Sequence, residues 1–247
     1  MSEWNDPRTT RSPFGNGPVL NGEALGAVTM DQGLRRYMLS IYNYMASGVL
    51  LTGVVALMMF TSGMAIQMIG SPVMWLVVLS PLAIVFAMSF GQNRFSTPTL
   101  QVMFWAFAVL MGMSMSTLFL RYTGGSIATT FFATAGAFAG LSLYGYTTKR
   151  NLSAMGSFMT MGLIGIIIAM LLNLWLQSSG LSLAISVLGV IIFAGLTAWD
   201  TQRLRDTYYQ VAGTEMMGKV VILGALTLYL DFINMFQFLL SFLGNRD

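Results

Sequence analysis

The sequence predicts an all-α membrane protein, a bundle of seven transmembrane helices, and three observations carry that reading. Of 247 residues, 55% are hydrophobic and 9% charged, whereas a soluble domain carries about 25% charged residues as polar surface. The charges are also segregated. Residues 37–93, 95–120, 122–148 and 152–199 contain no Asp, Glu, Lys or Arg, and 220–245 holds a single one, Asp231. Divided at polar and Gly/Pro breaks, these stretches give seven apolar segments, each near the roughly 20 residues that cross a bilayer core at 1.5 Å per residue.

In chain order, residues 1–36 form a polar leader with four acidic and four basic residues and with Pro7, Pro13 and Pro18. It has no apolar core of the kind a signal peptide needs and little surface to bury. A disordered cytoplasmic tail is therefore expected, with a short amphipathic helix near 30–36. The transmembrane domain covers 37–247, with spans at 38–60, 73–91, 99–120, 126–147, 155–176, 181–204 and 220–243. The breaks between them are polar or rich in Gly and Pro. The first, 61–72, contains Gly63, Gly70 and Pro72, and the second, 92–98, contains Asn93, Arg94 and Pro98. Arg121, Gly124 and Gly125 mark the third, Lys149 and Arg150 the fourth, Ser178 and Gly180 the fifth, and Arg205, Asp206, Gly213 and Lys219 the sixth.

Orientation follows from the basic residues, which concentrate on the cytoplasmic side of a membrane. Ten of the twelve Lys and Arg fall in the leader and the even-numbered breaks or at their edges; Arg121 and Arg246 alone fall on the other side. The N-terminus is thus expected in the cytoplasm and, after seven spans, the C-terminus outside it. Small residues gather in the fourth span, where Gly136-x-x-x-Gly140 lies among Ala133, Ala135, Ala137 and Ala139. Such a face lets a neighbouring helix backbone approach closely, which would put this span inside the bundle. Met103, Met111, Met113 and Met115 in the third span read as adaptable packing.

Composition also excludes chemistry. With no Cys there is no thiol nucleophile, disulfide or iron–sulfur site, and with no His there is no Ser-His-Asp triad or imidazole switch. No cofactor is expected. The net charge of +3 is small and scattered, which argues against nucleic acid and leaves the lipid bilayer as the evident partner.

Two acids stand out. Asp231, in Leu228-Tyr229-Leu230-Asp231-Phe232-Ile233-Asn234, lies about eleven residues from either end of the last span, or about 16 Å deep. A carboxylate there costs about 2.5–3.5 kcal/mol even on the insertion scale, so it faces the bundle interior or water and marks a functional site. Thr227, Asn234 and Ser241 share its helix face. Its structural alternative is a protonated Asp making an interhelical hydrogen bond. Asp200 ends the charge-free run 152–199, near Thr197, and its alternative is an ordinary pair with Arg203 at i+3. The two acids occupy consecutive, antiparallel helices. Carboxylates brought together in a low dielectric share a proton and titrate as a pair, and when ionised they offer hard oxygens that Ca²⁺ could visit transiently.

These residues resemble a known family. Trp199-Asp200-Thr201-Gln202, followed by Leu228-Tyr229-Leu230-Asp231-Phe232-Ile233-Asn234-Met235-Phe236, is similar to the signature of the Bax inhibitor (TMBIM) family in its bacterial branch. Leu143-Tyr144-Gly145-Tyr146-Thr147-Thr148-Lys149-Arg150 resembles the end of that family's fourth span. The resemblance, over about 35–244, implies a central helix, here expected to be the last, wrapped by six others, an inner-membrane location and a pH-sensitive calcium leak governed by two aspartates, here Asp200 and Asp231. The chain departs from the pattern at Trp199, where the family usually has Tyr, and at Asn151, where many bacterial members have Asp. Some members latch the aspartates with an Arg in the second span; here Arg94, at that span's end, is the stand-in.

Three function classes compete. A pH-gated cation leak, not an enzyme, ranks first. A regulator that binds another membrane protein, such as a quality-control protease, ranks second. An intramembrane aspartyl protease ranks third, because Leu230 stands where such enzymes place a glycine beside the second Asp.

Overall fold

The computed structural model describes the backbone of residues 22–245 and the side chains of 30–245. The helices are α1 (Gly22–Thr61), the short α2 (Met64–Met68), α3 (Pro72–Gly91), α4 (Thr97–Met115, continued by the 3₁₀ turn Ser116–Leu120), α5 (Gly124–Thr147), α6 (Ser153–Leu176), α7 (Ser179–Val211) and α8 (Met216–Leu243). Among the described residues there is no strand, and all but α2 are long and apolar enough to cross a membrane, seven spans in all. Local chemistry sets the starts. Ser96, Thr123 and Ser178 accept the amides of Thr99, Ser126 and Leu181, and Pro72 opens α3 where its missing N–H leaves no bond unmade. Gly63, Gly70 and Gly213 take left-handed φ of 76°, 81° and 76° at the breaks, a conformation that side chains with a Cβ resist.

Two helices overrun their expected ends. The tail expected over 1–36 lies outside the described residues as far as 21, but from Gly22 the chain is already helical. The short helix expected near 30–36 is therefore continuous with the first span. Likewise α7 runs to Val211, beyond the expected 204, and the chain turns only at Gly213. The two overhangs support each other. Leu34 and Tyr37 are buried, the Tyr37 and Tyr208 rings pack at 5.4 Å, and a Cβ on Gly33 would overlap the Tyr208 hydroxyl.

The last helix is the centre of the bundle. Of its most apolar window 56% is buried, against 39% or less in every other span. It packs on α1, α4, α5 and α7, while α3 joins mainly through α4 and α6 through α7. The Tyr229 hydroxyl donates to Thr52 Oγ1 at 2.6 Å, and that hydroxyl reaches the Gly48 and Ala108 carbonyls at 2.9 Å each. One buried knot thus joins α1, α4 and α8 where no water could satisfy them. Outward, Trp75, Phe90 and Trp175 are 70%, 83% and 86% exposed, as only a lipid surround tolerates.

The small-residue face of α5 corrects an expectation. A Cβ added at Gly136 or Gly140 would meet nothing within 4 Å, so that face looks outward and is not a helix contact. The close approach lies a turn further on, where a Cβ at Gly145 would overlap the Ala198 carbonyl of α7. The packed stripe of α5 is Thr130, Thr134, Phe138, Ser142 and Gly145, which turns Gly136 and Gly140 away from the core.

Candidate functional site: two buried carboxylates on adjacent helices

Around Asp231, α8 is buried on nearly every side, through Leu228, Tyr229, Phe232, Ile233, Met235 and Phe236. An acid on this helix therefore has no route to the lipid surface, and Asp231 is 4% exposed. Its Oδ2 is one of two buried side-chain polar atoms without a hydrogen-bond partner among the described residues; the other is Tyr37 Oη. Asp200, 6% exposed, sits on the inner face of α7 with Thr197, Thr201 and Gln202. Asp200 and Arg203 are the charged groups whose fields act on Asp231. Arg203 Nη1 approaches Asp200 Oδ1 at 3.6 Å, and its guanidinium lies 5.4 Å from the centre of the Trp199 ring. The ion pair considered for Asp200 is thus present, and it belongs to the site.

The remaining candidates divide. Thr197 Oγ1 donates to Phe193 O at 2.7 Å, Thr227 Oγ1 to Leu223 O at 3.1 Å and Asn234 Nδ2 to Leu230 O at 2.8 Å. Each donates to its own helix, and none is hydrogen-bonded to Asp231. Ser241 accepts from Ser186 of α7 at 3.0 Å. Arg94 is exposed in the turn between α3 and α4 and forms no ion pair with a described residue, so Arg203 occupies the position by the aspartates.

Sequence reasoning missed how α7 holds the turn before α6. The Gln202 side chain accepts the Leu152 N–H and donates to the Arg150 carbonyl, both at 2.8 Å, and Thr201 Oγ1 donates to Ser142 Oγ at 3.3 Å. Arg205 donates to the Tyr146 and Thr148 carbonyls, closing the C-terminus of α5. The polar run from Asp200 to Arg205 on one helical turn and a half was the available signal. Asn151 accepts the Ser153 N–H at 2.8 Å, a bond that an Asp there could make equally. Trp199 packs flat against Gly156 of α6, where a Cβ would overlap its ring.

Next to Asp231 on α8, Phe232 meets Phe131 and Phe138 edge-on at 5.6 Å, and Phe131 also meets Phe236 at 6.3 Å. Beyond this aromatic layer, a pocket of about 400 Å³ opens at the start of α5, lined by Thr123, Ser126, Thr129, Thr130 and Asn245 among others. Thr130 and Thr134 continue that hydroxyl lining into the core. Among the described residues no three acid, His or Cys side chains come together as metal ligands. Two carboxylates supply at most four of the six to eight oxygens that Ca²⁺ takes, so the site suits a passing ion better than a resident one.

Comparison with known proteins places the chain in a family. The family described as "Inhibitor of apoptosis-promoting Bax1" matches residues 34–247. The chain is 48% identical over 228 residues to the protein RP147 of Rickettsia prowazekii, covering 88% of this chain and 93% of that one. It is 43% identical over 218 residues to the inner membrane protein YbhL of Escherichia coli, covering 87% and 93%, and 39% identical over 234 residues to YrjE of Lactococcus lactis, covering 89% and 98%. The seven-span bundle, the buried Asp200 and Asp231 on neighbouring helices, and a match over nearly the whole membrane domain make this chain a member of the Bax inhibitor family.

Proposed function

We propose that the protein is a pH-responsive cation leak, chiefly for Ca²⁺, and not an enzyme, with Asp200 and Asp231 as its sensor and its ion stop. The observation that carries the reading is the unpartnered Oδ2 of Asp231 at mid-membrane, within the field of Asp200. A buried carboxylate in that position can be neutralised by a proton or by a cation, and competition between the two makes ion passage depend on pH. On this reading the aromatic layer of Phe131, Phe138, Phe232 and Phe236 is the barrier between the acids and the hydroxyl-lined pocket, and Arg203, 3.6 Å from Asp200, is the barrier on the other side. Leak requires these two barriers to part. The protease reading is weaker because Leu230 packs against the core beside Asp231, leaving no glycine strip for a substrate backbone. By its basic residues the chain sits with its N-terminus in the cytoplasm, and the name of its Escherichia coli relative supports a bacterial inner membrane.

The test is Ca²⁺ entry into liposomes that contain the purified chain alone. Entry above that of protein-free liposomes supports the leak. No entry, together with cleavage of a membrane peptide that Asp231→Asn abolishes, would replace it with the protease.

A further inference from the structure

Between α1 and α5 the bundle is open. The two helices line a cavity of about 710 Å³ whose floor includes Phe138, Ser142 and Phe232. Neither helix is a principal packing partner of the other; each leans on α8. On the rim, Leu39, Leu50 and Leu143 are 49%, 64% and 63% exposed, so the groove opens sideways into the bilayer. Its walls are apolar except at one end, where Arg35, Tyr42 and Tyr146 gather.

We propose that this groove binds one phospholipid from the leaflet on the Arg35 side, with its phosphate on Arg35 and an acyl chain lying over Phe138 and Phe232. Length is the first argument. The groove runs from Arg35 to Leu50 on α1 and from Tyr146 back to Phe131 on α5, about 22 Å along each helix. Half of a hydrocarbon core about 30 Å thick plus one headgroup layer of about 6 Å gives about 21 Å, the reach of one lipid. Charge is the second. Arg35 is exposed at the mouth and forms no ion pair with a described residue, which leaves it free to take a phosphate. Asp31, one turn earlier, acts on Tyr146 at the same mouth. An acid and a base one helical turn apart match a headgroup that carries both an amine and a phosphate, as in phosphatidylethanolamine.

The lipid would lie close to the acids. Phe232 follows Asp231 in the chain, and Ser142 accepts the hydroxyl of Thr201, which follows Asp200. The binding proposal itself does not depend on the leak, and its test reads binding alone. The full chain, stripped of lipid in detergent, is titrated with phosphatidylethanolamine and followed by native mass spectrometry. Wild type should take up one lipid. Ala139→Trp, which fills the groove, should bind about tenfold more weakly or worse, and Arg35→Gln about threefold more weakly. Ala137→Trp, on the open face beside the groove, should bind as wild type does. Leu39→Trp, from the opposite wall, replaces Ala139→Trp if that variant melts early. Equal binding by wild type and both groove-filling variants would overturn the proposal. So would a wild-type dimer, with no lipid adduct, that the groove-filling variants break.

Discussion

Asp231 places a carboxylate where a bilayer solvates charge least, and its Oδ2 gains no hydrogen bond from the described residues. A residue kept for stability would have a donor, because an unpaired buried polar group costs about 1–3 kcal/mol. Thr227 and Asn234, one turn away on either side, could have supplied one, but both bond to their own helix. Asp231→Asn keeps the shape of the side chain and removes its charge. It should leave the melting temperature of the purified protein in detergent unchanged or raised. A loss of stability of more than about 2 kcal/mol would instead mark Asp231 as a structural hydrogen-bonding residue.

Among the elements, α5 and α7 make the contact most sensitive to a single methyl group. Gly145→Ala drives a Cβ into the backbone at Ala198 and should lower stability by about 1–3 kcal/mol. Gly140→Ala, on the open face, meets nothing and should be neutral or slightly stabilising, by up to about 1 kcal/mol. Thermal melting of the two variants side by side checks both. Gln202→Ala should cost about 1–3 kcal/mol in the same assay, because it strands the Leu152 N–H and the Arg150 carbonyl. The spans were legible in the sequence because charge-free length is itself the physical requirement for crossing a membrane. Which face of α5 turns inward was not, since Gly136, Gly140 and Gly145 are equally small and only the position of α7 distinguishes them. The helical overhangs of α1 and α7 were hidden for a related reason. Their polar ends read as tail and loop, and the pairing of Tyr37 with Tyr208 spans a separation that no local pattern records. In the site, Asp231 stood out by burial cost and Asp200 by the resemblance of its motif, whereas the clasp made by Gln202 and Arg205 depends on a turn that the helices bring to them.

At the scale of the whole molecule, α8 is central and the two buried acids lie on the packed pair of α7 and α8. Orientation gives the first check: with ten of twelve basic residues on one side, reporter fusions should place the C-terminus outside the cytoplasm and the α5–α6 turn within it. A cytoplasmic C-terminus would contradict the charge asymmetry. Function gives the second and more direct check. On the proposed function, in which a proton and a cation compete for the same buried carboxylates, Ca²⁺ flux through wild type should change with pH, and removing either acid should remove that change. The measurement is Ca²⁺ flux into liposomes between about pH 5 and 8, for wild type, Asp231→Asn and Asp200→Asn, across the range in which a coupled carboxylate pair can titrate. The account predicts a pH-dependent flux in wild type and an altered, flat profile in both variants; variants that retain the wild-type pH profile would contradict it.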